Sequence, residues 1–175
     1  FGDHPKLGDL ADIKQGLATV DDDRFVRKWW EFPLDELNTR YIRLQKSGTD
    51  SVYYDYAEDY VDWANEGKEI KSYSGSRPQN EEYYFQSGVT YRSFGNHLTG
   101  RLQAEDMIFS HKSNYVSPDS HSDTVLLAHL NSTLHRYIIN GLNPGLNFEV
   151  GDGKRLPIKE EVQCADEVKN LVYKG

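Results

Sequence analysis

Cysteine and long apolar runs are both scarce in this sequence. Cys164 is the single cysteine, so no internal disulfide can form. No apolar stretch approaches the roughly 20 residues that a membrane helix needs, and no signal peptide is recognisable. These absences predict a cytoplasmic protein with no membrane segment.

Positive charge is scarce as well, with 20 Lys and Arg against 28 Asp and Glu and a net charge of −8. DNA affinity rests on cations that meet phosphates, so this balance weighs against a nucleic-acid-binding protein. The deficit is uneven, because residues 1–75 hold 16 acids against 10 bases while residues 76–140 hold 6 against 5. From Tyr83 to Pro118 the only acids are Glu105 and Asp106. Either a locally positive face or a solvated loop that merely lacks acids fits this part of the chain.

The clearest structural pattern is an amphipathic helix in the region 123–140. Asp123 is its predicted N-cap, and Gly141 followed by Pro144 is a strong stop signal, which ends the helix near Asn140. The apolar residues recur at helical spacing and predict one face packed on a sheet. They are Leu126, Leu127, Leu130, Leu134, Tyr137 and Ile138.

Strand patterns are spread over the rest of the chain. After the helix, alternating Leu146, Phe148 and Val150 predict a strand closed by a turn at Gly151–Gly153, and Leu156–Ile158 predicts an edge segment. Upstream strands are predicted at Leu10–Gln15, Phe25–Glu31, Tyr41–Leu44, Val89–Ser93 and Met107–Ser110. Helical turns are predicted at Asn65–Lys71 and Asn80–Phe85, a polar connection at His111–Asp123, and a closing helix at Lys159–Tyr173.

These elements predict a single α+β domain. Its sheet is expected to be twisted, mixed or mainly antiparallel, and built from roughly six to eight short strands with the long helix packed on it near the C-terminus. The length of 175 residues is enough for one domain with a real core.

The loop Phe94–Arg101 is a candidate for reading DNA bases. Asn96, His97, Thr99 and Arg101 are all hydrogen-bonding types, and Asn and Arg are the side chains that bond adenine and guanine through two hydrogen bonds. Asn–His and Thr–Gly are also ordinary turn residues, so a plain connector is the alternative.

Four segments resemble, in order, those of the target recognition domains of adenine-specific DNA methyltransferases. The resemblance extends to type IIG restriction enzymes and type I specificity subunits, and it is closest to the PglX-like methyltransferases of BREX phage defence. The segments are GLATVDDDRFVRKWWE (Gly16–Glu31), YVDWANEGKEIK (Tyr60–Lys71), SRPQNEEYYFQSGVTY (Ser76–Tyr91) and a leucine-rich helix with LNS followed by NPGLNFEVGD and LPI.

The resemblance implies that residues 1–175 are one target recognition domain, excised from a larger protein whose methyltransferase domain precedes Phe1. It implies double-stranded DNA and that methyltransferase domain as partners, further defence-system subunits as additional ones, and S-adenosylmethionine as a cofactor of the parent only. The parent is then expected to be an adenine-N6 methyltransferase, with or without endonuclease activity. The residues expected at the DNA are Lys14, Gln15, Thr19, Arg24, Arg77, Arg92, Asn96, His97, Thr99, Arg101 and Lys112.

Catalytic motifs are missing from the sequence. Asn143–Leu146 (NPGL) resembles the NPPY motif of amino methylation only superficially, and no glycine-rich cofactor loop precedes it. His111, Asp119, His121 and Asp123 lack zinc spacing. His129 and His135, six residues apart, are expected on opposite sides of one helix. The sequence therefore predicts no catalytic residue, metal site or cofactor in this chain.

A protein interaction module within a defence complex is the alternative function. The region 51–63 is rich in both acids and aromatic residues, which suits a docking surface as well as a core or rim. Its aromatic residues are Tyr53, Tyr54, Tyr56, Tyr60 and Trp63.

Overall fold

The computed structural model describes residues 4–46, 51–117 and 122–158. Eight strands in two four-stranded sheets, with six α-helices, make up this part of the chain. The α+β class is therefore confirmed, although two sheets replace the single predicted one. The elements are α1 (Leu7–Leu10), β1 (Ile13–Lys14), α2 (Asp22–Phe25), β2 (Val26–Lys28), β3 (Tyr41–Gln45), β4 (Asp59–Asp62), α3 (Ala64–Ser72), β5 (Gly88–Arg92), β6 (Gly100–Gln103), β7 (Met107–Phe109), β8 (Ser113–Val116), α4 (Asp123–Asn131), α5 (Thr133–Leu142) and α6 (Val150–Lys154).

The first sheet has the strand order β1-β8-β5-β6, and every neighbouring pair is antiparallel. Helix α4 packs on β5 and β6, while α6 packs on β1 and on α1. The core between sheet and helices is largely aliphatic, with Val89, Leu127 and Ile139 fully buried. We call this sheet with α1, α4, α5 and α6 the helical half.

The second sheet has the order β2-β4-β3-β7, in which only the β3–β7 pair is parallel. Successive side chains of a strand point to opposite faces. Ile42, Leu44 and Val61 accordingly enter the core, while Tyr41 and Tyr60 pack with Phe32 in a separate cluster. We call this sheet, with α2 and α3, the aromatic half.

The two halves meet at the turn between β7 and β8. The rings of Phe109 and Tyr115 stack there, with centroids 4.9 Å apart, and Phe109 also meets Tyr84 edge-on. Gly16 lies against this junction so closely that an added Cβ would fall 2.0 Å from the Phe109 carbonyl oxygen. A side chain at position 16 is therefore excluded by close approach of two backbones.

The predicted long helix is broken at Ser132, which separates α4 from α5. Ser132 has extended backbone angles, and its side chain accepts a hydrogen bond from the His135 N–H at 3.1 Å. Serine is a favoured N-cap, so it starts a second helix instead of continuing the first. The break leaves Leu134 and Tyr137 at 62% and 78% exposure, against the prediction that both face the core.

The break also corrects the predicted placement of two histidines. The ring centroids of His129 and His135 lie 5.2 Å apart, whereas the prediction put the two side chains on opposite sides of one helix. His135 is buried, and its Nε2 donates to the Pro157 carbonyl oxygen at 2.6 Å. Burial lowers the pKa of His135, and the hydrogen bond to Pro157 only partly offsets that effect.

The strand predicted at Leu146–Val150 is absent, as is the turn predicted at Gly151–Gly153. Phe148 is buried in the core, but Asn147 forms only an isolated bridge with Phe94, and α6 begins at Val150. The side chains of Glu149 and Asp152 cap the first turn of α6 reciprocally. Such capping residues favour a helix start and outweigh a short alternating pattern.

Two further expectations of the sequence differ from the fold. The polar connection predicted at His111–Asp123 contains β8, which is fully buried between β1 and β5. Of the strand predicted at Leu10–Gln15, only Ile13–Lys14 forms as β1, and Leu10 is the last residue of α1. The closing helix predicted at Lys159–Tyr173 lies outside the described residues.

Within the described residues, no helix combines the length and apolar character needed to span a membrane.

Candidate nucleic-acid interface

The segment Gly16–Arg24, which the sequence predicts to be an exposed loop between two strands, has Leu17, Ala18 and Thr19 buried and ends in α2. It is held between two other segments. The His111 N–H donates to the Leu17 carbonyl oxygen at 2.9 Å. Ala18 and Arg77 exchange two backbone hydrogen bonds of 3.0 and 2.9 Å. The start of the loop therefore lies between Arg77 and the turn that follows β7.

The second predicted loop, Phe94–Arg101, includes the tip of the β5–β6 hairpin. Phe94 is 54% exposed, and Asn96 and His97 are exposed beside it. The Gly95 N–H donates to the Leu146 carbonyl oxygen at 2.9 Å, which anchors the tip to the segment before α6.

The turn after β7 brings the two loops together. The Ser93 N–H donates to the Lys112 carbonyl oxygen at 3.0 Å, so the hairpin lies directly beside the turn that also binds the first loop. The exposed and half-buried side chains along this line form one continuous surface, which we call the loop edge. Its members are Gln15, Arg77, Phe94, Asn96, His97, His111, Lys112 and Asn147.

Two cations on the loop edge are available to a ligand. Arg77 and Lys112 are exposed, and neither forms an ion pair within the residues that the structure describes. Arg92, by contrast, is half-buried and its guanidinium packs against Gly95. The edge therefore carries positive charge that is not held in an ion pair, although Lys112 also interacts electrostatically with Asp22 at a longer distance.

Lys14 and Arg24 were predicted at the same surface, but both are engaged with carboxylates. Lys14 Nζ lies 3.4 Å from Asp12. Arg24 donates from Nη2 and Nε to one oxygen of Glu69, at 2.6 and 3.2 Å, and this hydrogen bonding raises the pKa of Arg24. Both pairs are partly exposed, so each is weak enough to exchange for a phosphate.

Three predicted side chains turn inward. Thr19 is buried and its hydroxyl donates to Asp22, and Thr99 is 3% exposed. Arg101 is 1% exposed, with Nε 3.0 Å from the Ser51 carbonyl oxygen and 3.6 Å from the Asp55 carboxylate. In this structure none of the three reaches the surface where DNA would lie.

A polar groove of about 430 Å³ lies beside the loop edge. Gln15 Nε2 donates to the His111 carbonyl oxygen at 3.1 Å within it, and Asn114 Nδ2 donates to the Phe148 carbonyl oxygen at 2.9 Å. The groove residues Ser93, Asn114 and Asn147 were missed from the sequence, because Ser93 and Asn147 fall in predicted strands and Asn114 falls in a stretch predicted to be a polar connection. The remaining lining comes from Glu149, Val150 and Gly151.

The loop edge combines base-reading chemistry with phosphate-binding chemistry. Amide groups such as those of Gln15 and Asn96 can donate and accept at once, which matches the edge of adenine. Arg77 and Lys112 can meet phosphates.

Among the described residues, no group of three His, Cys, Asp or Glu side chains could hold a metal ion. The metal candidates Asp119 and His121 lie outside the described residues.

The chain is similar to parts of two adenine-specific methyltransferases. No family model matches the chain. It is 24% identical over 181 residues to the adenine-specific methyltransferase BrxX of Escherichia coli O9:H4 (strain HS), an alignment that covers 96% of the chain. It is 22% identical over 178 residues to the adenine-specific methyltransferase PglX of Lacticaseibacillus casei (strain Zhang), covering 89% of the chain.

The similarity is weak in identity but extends over nearly the whole chain. The chain spans about 15% of the length of each of these two relatives. It is thus homologous to one segment of these adenine-specific methyltransferases.

Proposed function

We propose that this chain is the target recognition domain of an adenine-specific DNA methyltransferase of the PglX-like, BREX type. It binds duplex DNA through the loop edge and presents the target adenine to a catalytic domain elsewhere in the parent protein. S-adenosylmethionine and the methyl transfer belong to that catalytic domain, and we assign no catalytic residue to this chain.

The observation that carries the proposal is the convergence of three distant segments at the loop edge. Gln15, Asn96 and Lys112 come from separate loops, and backbone hydrogen bonds link these loops through Leu17, His111 and Ser93. Reading a base needs several side chains held in fixed relative positions, and a framework of backbone hydrogen bonds supplies such rigidity.

The size of the edge suits a DNA groove. The loop edge runs from Arg77 to the first loop, then to the β7–β8 turn, the hairpin and Asn147, which makes four steps between neighbouring backbone segments. At ~4.8 Å per step the edge spans roughly 19 Å. The major groove is about 12 Å wide, so the hairpin tip can enter it while Arg77 and Lys112, which both lie on one side of the tip, meet phosphates of the strand beside it. Asn96 and His97 are the side chains that we assign to bases.

The net charge of −8 does not oppose this proposal, because most of the acid lies elsewhere. Residues 1–75 account for −6 of it, with 16 acids against 10 bases. Many of these acids belong to the aromatic half, whose cations they neutralise: Arg40 pairs with Asp62 at 2.7 Å, and Lys46 with Asp22 at 2.8 Å. We expect weak duplex affinity for the isolated chain, with Kd about 10⁻⁴ to 10⁻⁶ M at physiological salt.

Methylome sequencing of cells that carry variants of the full-length parent tests the proposal. Asn96→Ala should relax the methylated sequence at one or two base positions, a loss of roughly 1 to 3 kcal/mol of discrimination there. Lys112→Ala should instead lower methylation at all sites about equally, since phosphates carry no sequence information.

Asn140→Ala is the matched control, because Asn140 is an exposed asparagine of α5 that does not belong to the loop edge. It should leave both the sequence and the extent of methylation unchanged. An unchanged motif and extent in both Asn96→Ala and Lys112→Ala would contradict the assignment of the loop edge to DNA.

A further inference from the structure

A second surface, on the aromatic half, has the opposite character to the loop edge. It is a groove of about 410 Å³ on the outer face of the second sheet, where Arg43 and Tyr60 point away from the core. Asp106, which precedes β7, lines this groove, whereas the loop edge begins at the turn after β7. The two surfaces therefore meet β7 at opposite ends.

Exposed aromatic rings form the walls of the groove. Tyr56 is 80% exposed, Trp29 52% and Tyr54 51%. Tyr54 and Tyr56 pack edge to face with centroids 5.4 Å apart, and Trp29 does the same with Trp30. A monomeric protein rarely leaves so many large rings in water together, and such patches mark binding surfaces.

The charges of the groove are unbalanced toward the negative. Arg43 is matched by Asp106, with N–O distances of 3.1 and 3.3 Å. Lys28 is shared between Glu58 at 3.4 Å and Asp59 at 3.3 Å. The lining of the groove thus holds one cation, Arg43, and two carboxylates, Glu58 and Asp106, which remain 57% and 43% exposed, while Lys28 and Asp59 lie outside it.

Aromatic walls with excess carboxylate select the charge of the ligand. A phosphate-bearing ligand would meet Glu58 and Asp106 without a free cation in compensation. A guanidinium or ammonium group is attracted both by the carboxylates and by the faces of Trp and Tyr rings. The groove volume is within the range of sites that bind small ligands or a few side chains.

We propose that this groove docks a protein segment that presents arginine or lysine side chains. Its cationic group lies against Trp29, Tyr54 and Tyr56, and Glu58 and Asp106 supply the opposite charge. The proposal is independent of DNA recognition, because it uses none of the residues of the loop edge.

Calorimetric titration of the 175-residue chain with synthetic capped peptides tests this proposal. One peptide alternates arginine with glycine and serine, a second carries glutamine in place of each arginine, and a third carries glutamate. The arginine peptide should bind about tenfold more tightly than the glutamine peptide, and the glutamate peptide should not bind.

Variants locate the binding. Tyr56→Ala and Glu58→Gln should each weaken binding of the arginine peptide about fivefold. Tyr137→Ala is the matched control: Tyr137 is 78% exposed on α5, close to the 80% of Tyr56, and its loss should change nothing. Because Tyr56 is so exposed, its replacement leaves the core intact.

Two outcomes would overturn the proposal. One is a peptide titration that shows no aromatic and cationic recognition, either because the arginine and glutamine peptides bind equally or because Tyr56→Ala binds the arginine peptide as tightly as the wild type. The other is a single-stranded oligonucleotide that binds more tightly than the arginine peptide and loses affinity in Tyr56→Ala, which would assign the rings to base stacking.

Discussion

The helical half and the aromatic half bury their four-stranded sheets with different side chains. In the helical half, Leu127 and Leu130 of α4 pack on β5 and β6, and Ile139 of α5 belongs to the same largely aliphatic cluster. In the aromatic half, loops and short helices cover the sheet, and rings such as Trp63 and Phe109 fill the space. Helices supply closely spaced aliphatic side chains, whereas irregular cover is filled by fewer, larger groups.

The same difference extends to the surfaces. The aromatic half leaves rings exposed beside carboxylates, as at Tyr56 and Glu58, while the loop edge has exposed cations and amides, as at Lys112 and Asn96. We therefore expect changes in one surface to leave the binding function of the other unaffected, and changes at the junction of the halves to affect both.

The largest effect is expected at that junction. Phe109→Ala removes a ring that stacks on Tyr115 and meets Tyr84, so it should lower the free energy of unfolding by about 3 to 5 kcal/mol, as measured by denaturant titration. Phe94→Ala, at a 54% exposed phenylalanine, is the matched control and should stay within about 0.5 kcal/mol of the wild type. A loss below about 1.5 kcal/mol in Phe109→Ala would mean that the halves do not share a core.

Arg101→Ala is expected to have the next largest effect, and on stability instead of specificity. It removes the ion pair between Arg101 and Asp55, whose side chains are 1% and 11% exposed, and breaking a buried pair costs about 3 kcal/mol. Denaturant titration measures this loss, and Arg77→Ala, at an exposed arginine, should show almost none. Full stability of Arg101→Ala combined with an altered methylation motif would return Arg101 to the DNA-reading surface.

The contrast between Arg101 and Asn96 illustrates what the sequence can and cannot predict about the site. Both residues lie in the predicted loop Phe94–Arg101, and both are types that read bases, but Gly100 and Arg101 belong to β6. Only the fold brings Asp55 to Arg101 from 46 positions away and buries the pair. Pairings over such separations leave no local pattern, so residue type located the loop but not which of its side chains is exposed.

The helices give a similar lesson about the fold. The apolar spacing predicted the helical region and its stop before Pro144, and α5 ends at Leu142. Ser132 looked like one polar position on a helix, although its N-cap preference starts a new one. Strand β8 was missed because Ser113 and Asn114 are polar, and their burial depends on the neighbouring strands and on the Phe148 carbonyl oxygen.

A smaller effect is expected from pH at the helix break. Burial lowers the pKa of His135 in the folded chain, so as pH falls the unfolded chain binds a proton at this histidine before the folded chain does. The free energy of unfolding is therefore undiminished by this histidine above its unfolded pKa of about 6.5, and it decreases as pH falls from there toward the lower folded pKa. Thermal unfolding at pH 7 and pH 6 should show this loss in the wild type and a smaller one in His135→Gln. His97→Gln, at an exposed histidine, should behave as the wild type, and an equal pH response in His135→Gln would contradict the prediction.

The central claim, that the loop edge binds DNA, is tested most directly by the salt dependence of duplex binding. The affinity of the 175-residue chain for duplex DNA should fall steeply as the salt concentration rises. The double variant Arg77→Ala, Lys112→Ala should bind more weakly, and its plot of log affinity against log salt concentration should have a slope that is smaller by about 2. Lys68→Ala, at an exposed lysine of α3, should retain the wild-type slope. A slope that the double variant leaves unchanged, or that Lys68→Ala reduces as much, would contradict the account.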